Sequence, residues 1–360
     1  MTKDSIQDEI LGLLDPLHRA TVASSMGTGK TLLGIKHMIN NYRKDAKYLV
    51  VGKVLSIFEA WKHEIINYKV EYLNENISYC TYRSLNKEDL SQYDIIYFDE
   101  VHNLLFSHQQ SLNKYSGKIL GLTGTPPKSM KSQKGIMIST YCPIIYEYKT
   151  DTAIADKILN DYKMIVHYLP LNAEKTIKVE KNNKVWYTSE KSTYDYWCSR
   201  VEKAKTAVEL RMMRIMRMKN LQSFRSKELK TLKLLAQITD KCLIFANTQD
   251  QADRLSYHTY HSKNKDSLGN LQLFKDDAIN TLATVQQLNE GVNIPNLRVG
   301  IILHAYSNEV QSSQKIGRFL RLGVDDSSTI HILCYENTID EQWVKSALEG
   351  FDQTKISYLN

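Results

Sequence analysis

Two tandem α/β cores, each a mainly parallel sheet flanked by helices, with a basic helical insertion between them, are the fold class this 360-residue sequence predicts. Three observations predict it. A short apolar run at residues 20–23 leads through a turn bearing Gly27 and Gly29 into a helical spacing. Strand-like apolar runs then alternate with helical spacings as far as residue 122, and the same alternation starts afresh at residue 241. The predicted domains are residues 1–145, 146–238 and 239–360.

Composition narrows the class. A hydrophobic fraction of 42% suffices for packed cores, and a net charge of +7 permits a polyanionic partner without requiring one. The five cysteines, Cys80, Cys142, Cys198, Cys242 and Cys334, stand far apart with no C-x-x-C pair, which argues against a disulfide framework or a zinc site. Residues 1–15 hold no signal-peptide core and no apolar run is long enough to span a bilayer. A soluble, cytoplasmic chain with no membrane partner is therefore expected.

Ile6, Ile10, Leu13 and Leu14 recur at helical spacing and predict a short helix carrying Gln7, which reads either as a contact to an adenine edge or as a solvated residue. Next comes Ser24-Ser25-Met26-Gly27-Thr28-Gly29-Lys30-Thr31. Glycines without Cβ let consecutive backbone N–H groups approach phosphate oxygens at the positive end of the following helix. Ser25, Met26, Gly27, Thr28 and Gly29 would line such a cradle, Lys30 would neutralise the β and γ phosphates, and Thr31 would ligate Mg²⁺. Ser24 stands where the usual pattern has Gly, and its small side chain meets the same steric need.

Residues 47–51 form the next strand, followed by Gly52-Lys53 and a helix with Phe58, Trp61 and Ile65. A third strand at residues 77–80 runs into Thr81-Tyr82-Arg83. Residues 93–98 are mostly apolar and end in Asp99-Glu100-Val101-His102. Two carboxylates at the end of a buried strand are costly unless a cation or a proton uses them. Beside a phosphate loop, Asp99 suits Mg²⁺ and Glu100 suits the attacking water. A strand at residues 119–122 then opens into Thr123-Gly124-Thr125-Pro126, whose hydroxyls could sense the terminal phosphate.

Residues 143–171 carry the chain out of the first sheet by a strand and a short helix. Residues 200–233 hold eleven Lys/Arg against three acids, with Val208, Met212, Ile215 and Met216 at helical spacing. One long basic amphipathic helix is expected, with Arg211, Arg214 and Arg217 suited to phosphate-backbone contact. Trp186, Tyr187, Tyr194, Tyr196 and Trp197 upstream read as core or as base-stacking groups. In the second core, strands are expected at residues 241–246, 280–285, 299–303 and 330–333. Within residues 313–321, a helix would set Gln314, Arg318 and Arg321 on one face, with Gly317 allowing a phosphate to approach the permanently charged guanidinium groups.

Residues 27–31, 99–102 and 123–126, in this order and spacing, resemble motifs I, II and III of superfamily 2 helicases and translocases, in the DExH branch with a DEVH box. Thr81-Tyr82-Arg83-Ser84-Leu85 is similar to the family's nucleic-acid-contacting segment after the third strand, and the stretch Lys53 to Ile65, with Phe58, Trp61 and Glu64, resembles motif Ia. Later segments resemble motifs IV, V and VI. The resemblance implies tandem RecA-like P-loop domains that use ATP and Mg²⁺, with hydrolysis where the two domains meet. It implies Glu100, Gln314, Arg318 and Arg321 as catalytic groups, both arginines acting as fingers. Gly291 and Asn293 would lie near nucleotide, Asn293 standing where many members have Asp. Thr31 and Asp99 would hold the metal, and His102, Thr123 and Thr125 would couple the steps. Lys53, Thr81, Tyr82, Arg83, His261, Lys263 and Thr284 would contact nucleic acid. The expected activity is that of an ATP-dependent helicase or translocase. Thr-Gly-Thr-Pro, Glu-Gly-Val-Asn-Ile-Pro and the tyrosine-rich crossing segment look more like DNA-acting members, so DNA is the expected partner, single-stranded or branched. A compact phage or viral motor, or one given specificity by a protein partner, is implied. An RNA helicase and a nucleotide-gated clamp with little turnover are the alternatives.

Overall fold

The computed structural model describes residues 2–181, 183–285, 294–304, 315–320 and 322–360. They fall into two compact units. The first takes the chain to residue 161 and adds the described residues among 288–295 and 313–327, and the second takes the described remainder.

Six strands build the first unit: β1 (Arg19–Ser24), β2 (Tyr48–Gly52), β3 (Ile77–Thr81), β4 (Ile95–Asp99), β5 (Lys118–Thr123) and β6 (Ile144–Tyr148). They lie in the order β3-β2-β4-β5-β1-β6. Every neighbouring pair is parallel. The central strands are buried along nearly their whole length, as their unbroken apolar runs require when helices cover both faces. Helix Lys3–Leu14 begins earlier than its apolar spacing suggests because Thr2 and Ser5 form a capping box. Pairing of Ala23 with Thr123 and of Asp99 with Leu122 brings the carboxyl ends of β1, β5 and β4 side by side. Ligands of open parallel sheets bind at such strand ends.

The second unit contains β7 (Asp161–Leu169), β8 (Ile177–Lys181), β9 (Lys184–Thr188), β10 (Cys242–Ala246), β11 (Thr259–Tyr260), β12 (Thr281–Val285), β13 (Val299–Ile302), β14 (Ser327–Tyr335) and β15 (Ile356–Leu359). Its main sheet has the order β11-β12-β10-β13-β14-β7-β15, while β8 and β9 form a separate antiparallel hairpin. The expected core strands are present. β7 and β15 add to them: Tyr162, Met164 and Val166 alternate with exposed Asp161 and Lys163, a period-two pattern hidden inside the crossing segment.

The single long basic helix expected over residues 200–233 is instead three: Glu190–Glu202, Ala207–Ser223 and Ser226–Leu235. Polar caps cut it. The Thr206 side chain accepts from the Glu209 N–H. The buried Glu190 carboxylate accepts from the N–H groups of Arg225 and Ser226 at the start of the third helix. The apolar stripe also faces the other way. Val208, Met212 and Ile215 are exposed, and the buried apolar side chains of that helix are Met213 and Leu221.

A buried ion pair locks the third helix. Lys227 has no exposed surface, and its Nζ donates to the Leu303 carbonyl at 2.7 Å and to Asp340 Oδ2 at 2.5 Å. Asp340 opens helix Ile339–Leu348 and also accepts from the Tyr335 N–H. Lys227→Met strands the carboxylate without its counter-charge. It is expected to destabilise the second unit by about 3–5 kcal/mol, read from urea unfolding.

Candidate nucleotide site

The loop after β1 is shaped by its own hydroxyls and glycines. Ser24 Oγ lies 3.0 Å from Thr28 Oγ1, and the Thr28 hydroxyl donates to the Ser25 carbonyl at 2.7 Å. Ser24 is thus more than a small substitute for glycine, because it ties the two ends of the loop together. Gly27 and Gly29 sit at φ 85° and 86°, a left-handed conformation that lets neighbouring N–H groups turn inward as an anion cradle. Gly29 directly precedes helix Lys30–Asn40. Lys30 Nζ lies 3.3 and 3.4 Å from the Ser24 and Ser25 carbonyls, so its charge sits within the loop. From behind, buried Gln7 donates through Nε2 to the Thr28 and Gly29 carbonyls at 3.4 and 3.2 Å, while its Oε1 is buried without a hydrogen-bond partner.

At the end of β4, Glu100 takes a left-handed φ of 52°, a conformation that costs a non-glycine residue of order 1–3 kcal/mol and that clusters at functional sites. Its Oε2 accepts from the Thr123 hydroxyl at 3.2 Å and the Gly124 N–H at 3.4 Å, and lies 3.3 Å from His102 Nδ1. Burial pushes this carboxyl up. The His102 hydrogen bond, the Lys30 charge and the Gly124 N–H more than reverse that and hold it down to about 2. Glu100 is therefore a buried carboxylate at neutral pH. Its stabilising contribution is complete above about pH 4.5, the ordinary carboxyl value, and is lost as pH falls toward 2. His102 Nδ1 lies 2.9 Å from Thr123 Oγ1 and 3.3 Å from Thr125 Oγ1. A Cβ on Gly124 would meet Lys30 Nζ at 2.9 Å, so the two strand ends and the loop converge on one point.

Asp99 is half-buried. Its Oδ2 accepts from the Trp61 indole N–H at 2.7 Å, and its carbonyl accepts from the Tyr82 hydroxyl at 2.9 Å. Trp61 carries a role that its apolar spacing did not reveal. The signal was Gly34, a glycine inside a helix, which costs about 1 kcal/mol and needs a packing reason. A Cβ there would lie 2.4 Å from the Trp61 ring. Among the described residues no group of three His, Cys, Asp or Glu side chains could hold an ion alone. The donor set fits Mg²⁺, which is bound by one or two protein oxygens together with substrate phosphates.

Residues 315–320 belong to the first unit. The Arg318 and Phe319 N–H groups donate three residues back, to Lys315 and Ile316. Gly317 packs on the loop: a Cβ there would lie 2.7 Å from Met26 Cβ and Sδ. Arg318, its neighbour, is buried. Gln314, Arg321, Gly291 and Asn293 lie outside the described residues.

The expected nucleic-acid contacts divide. Lys53, Arg83, Arg211, Arg214 and Lys263 are exposed. Thr81 is half-buried with its hydroxyl 3.1 Å from Ser84 Oγ, and Arg217 is half-buried 3.8 Å from Cys198 Sγ. Tyr82, His261 and Thr284 are buried. Tyr82 stacks on Phe98, His261 Nε2 lies 2.7 Å from Asp253, and Thr284 donates to the Tyr260 carbonyl. Of the aromatic cluster, Tyr194 is buried, whereas Trp186, Tyr187 and Tyr196 are exposed.

Fold and site define a phosphate-loop protein of two α/β units. Two family models match separate stretches of it: "Type III restriction enzyme, res subunit" over residues 3–128 and "Helicase conserved C-terminal domain" over residues 225–323. A DNA 3'-5' translocase XPB2 of Sulfurisphaera tokodaii is 25% identical over 345 residues, covering 88% of this chain and 77% of the relative. Solved structures share the fold. The ATP-dependent Type ISP restriction-modification enzyme LlaBIII bound to DNA matches 99% of this chain at TM-score 0.65 and 13% identity, although this chain spans only 31% of it. A fragment of a putative HsdR subunit of a type I restriction enzyme from Vibrio vulnificus YJ016 matches 99% of this chain and 67% of its own length, at TM-score 0.61 and 15% identity.

Proposed function

We propose that this protein hydrolyses ATP with Mg²⁺ and uses the cycle to translocate along, and separate, DNA. The observation that carries the reading is Glu100: a buried carboxylate at a strand end beside the phosphate-loop lysine, kept ionised, is an acceptor placed to orient a water. The N–H groups of residues 26–29 and the Lys30 ammonium bind phosphate oxygens, while the Ser25 N–H stays on the Tyr148 carbonyl of β6. Thr31 and Asp99 hold Mg²⁺, which supplies counter-charge when bound. Glu100 orients the attacking water and takes its proton. Arg318, brought near the loop by Gly317, and Arg321 offset charge on the transferred group. Gln7 Oε1, a buried acceptor in want of a donor, suits the exocyclic amine of adenine. The His102, Thr123 and Thr125 cluster links the carboxylate to the neighbouring strand end, so that loss of the terminal phosphate is felt in both. DNA as track is supported by the translocase relative and by the restriction enzyme of the same fold bound to DNA.

The test is steady-state phosphate release with no nucleic acid, with single-stranded or forked DNA, and with matched RNA, at several salt concentrations. DNA should stimulate most, and stimulation at sub-saturating DNA should fall steeply with salt because backbone contacts by Lys53, Arg83, Arg211 and Arg214 release counterions. Stimulation by RNA alone would reassign the track. Indifference to both would remove the motor reading.

A further inference from the structure

We propose that the Trp61 indole N–H positions Asp99 as the magnesium ligand and thereby sets the magnesium requirement of the site. The inference rests on the reading of Asp99 given above. Indole is a donor only, so it can serve the carboxylate but cannot compete with it for a cation. The 2.7 Å contact to Oδ2 is of charge-assisted length. Trp61 has no exposed surface and meets Tyr97 edge-on at 6.1 Å. It also fills the space left by Gly34 of the helix that starts at Lys30, where a Cβ would come within 2.4 Å of the ring. The ring therefore touches the phosphate-loop helix, the acidic strand and its own helix, and it has no room to rotate. Its bond fixes the plane of the Asp99 carboxylate while the Tyr82 hydroxyl fixes the Asp99 carbonyl. Groups that orient a metal ligand from behind typically change metal affinity 10–100-fold when removed.

The experiment titrates Mg²⁺ into the full chain with a fluorescent ADP analogue and, separately, during ATP hydrolysis, for the unsubstituted protein, Trp61→Phe and Asp99→Asn. Trp61→Phe should raise the half-saturating Mg²⁺ by about tenfold or more in both assays, with metal-free analogue binding little changed. In ¹⁵N-indole spectra of the unsubstituted protein, one resonance, absent from Trp61→Phe, should move when ADP and Mg²⁺ are added together but not with ADP alone. That spectrum decides the matter if Trp61→Phe fails to fold; the resonance is then the one that shifts in the unsubstituted protein but not in Asp99→Asn. An unchanged Mg²⁺ requirement in Trp61→Phe, with a raised one in Asp99→Asn, overturns the proposal alone. An unchanged requirement in both overturns the assignment of Asp99 as ligand, and this inference falls with it.

Discussion

Arg318→Ala is expected to lower DNA-stimulated ATP hydrolysis by about 10³- to 10⁵-fold, the range over which arginine fingers act. The geometry behind this is local. Gly317 packs against Met26 so closely that no side chain fits between them, and the guanidinium-bearing residue follows at once. Under the proposed function, a fork of fixed charge there would meet the terminal phosphate when charge is spread over its oxygens. Arg318→Lys should recover little, since an ammonium supplies charge without the planar, paired donors. Because Arg318 is buried, part of any loss could come from packing. Thermal unfolding separates the two: a finger lost by substitution lowers turnover with the unfolding midpoint nearly kept, and a structural residue lowers both. Phosphate-release kinetics and unfolding on the same preparations give the answer.

Glu100→Gln is expected to reduce hydrolysis by about 10²- to 10⁴-fold with nucleotide binding retained. The amide preserves shape, and its oxygen can still accept from the Thr123 hydroxyl and the Gly124 N–H. It cannot take a proton from water. The native carboxyl is held down to about 2 by neighbours that include Lys30 and His102. The unsubstituted protein should therefore show no activity loss from this group between pH 5 and pH 9, and any acid limb above pH 5 must arise elsewhere.

Much of the first unit was legible because its parallel strands are buried on both faces and read as unbroken apolar runs, punctuated by Gly27, Gly29 and the carboxylates of Asp99 and Glu100. The placement of Trp61 was not. A tryptophan at helical spacing looks like core; Gly34 signals close packing against it, but not that its ring nitrogen is aimed at Asp99. The hidden strand β7 escaped because its first residues, 161–164, alternate with a period of two inside a tyrosine-rich crossing, where the apolar run is only the three residues Met164-Ile165-Val166. The basic segment misled for a different reason. Charge and methionines at helical spacing specify helix, but the breaks depend on Thr206 and on Glu190, one of them distant in sequence. Side chains such as Thr284 and His261, polar and at a strand's end, looked available to a ligand. Burial and bonds to Tyr260 and Asp253 were decided by packing that spacing does not encode.

The most direct test is a single-turnover experiment with protein in excess over γ-labelled ATP, Mg²⁺ and single-stranded DNA present, comparing the unsubstituted chain with Glu100→Gln. Labelled phosphate should be released rapidly by the first, while the second should hold its ATP intact. Release at the same rate by both would show that the carboxylate at the end of β4 does not serve the water, and the account of this site would fail.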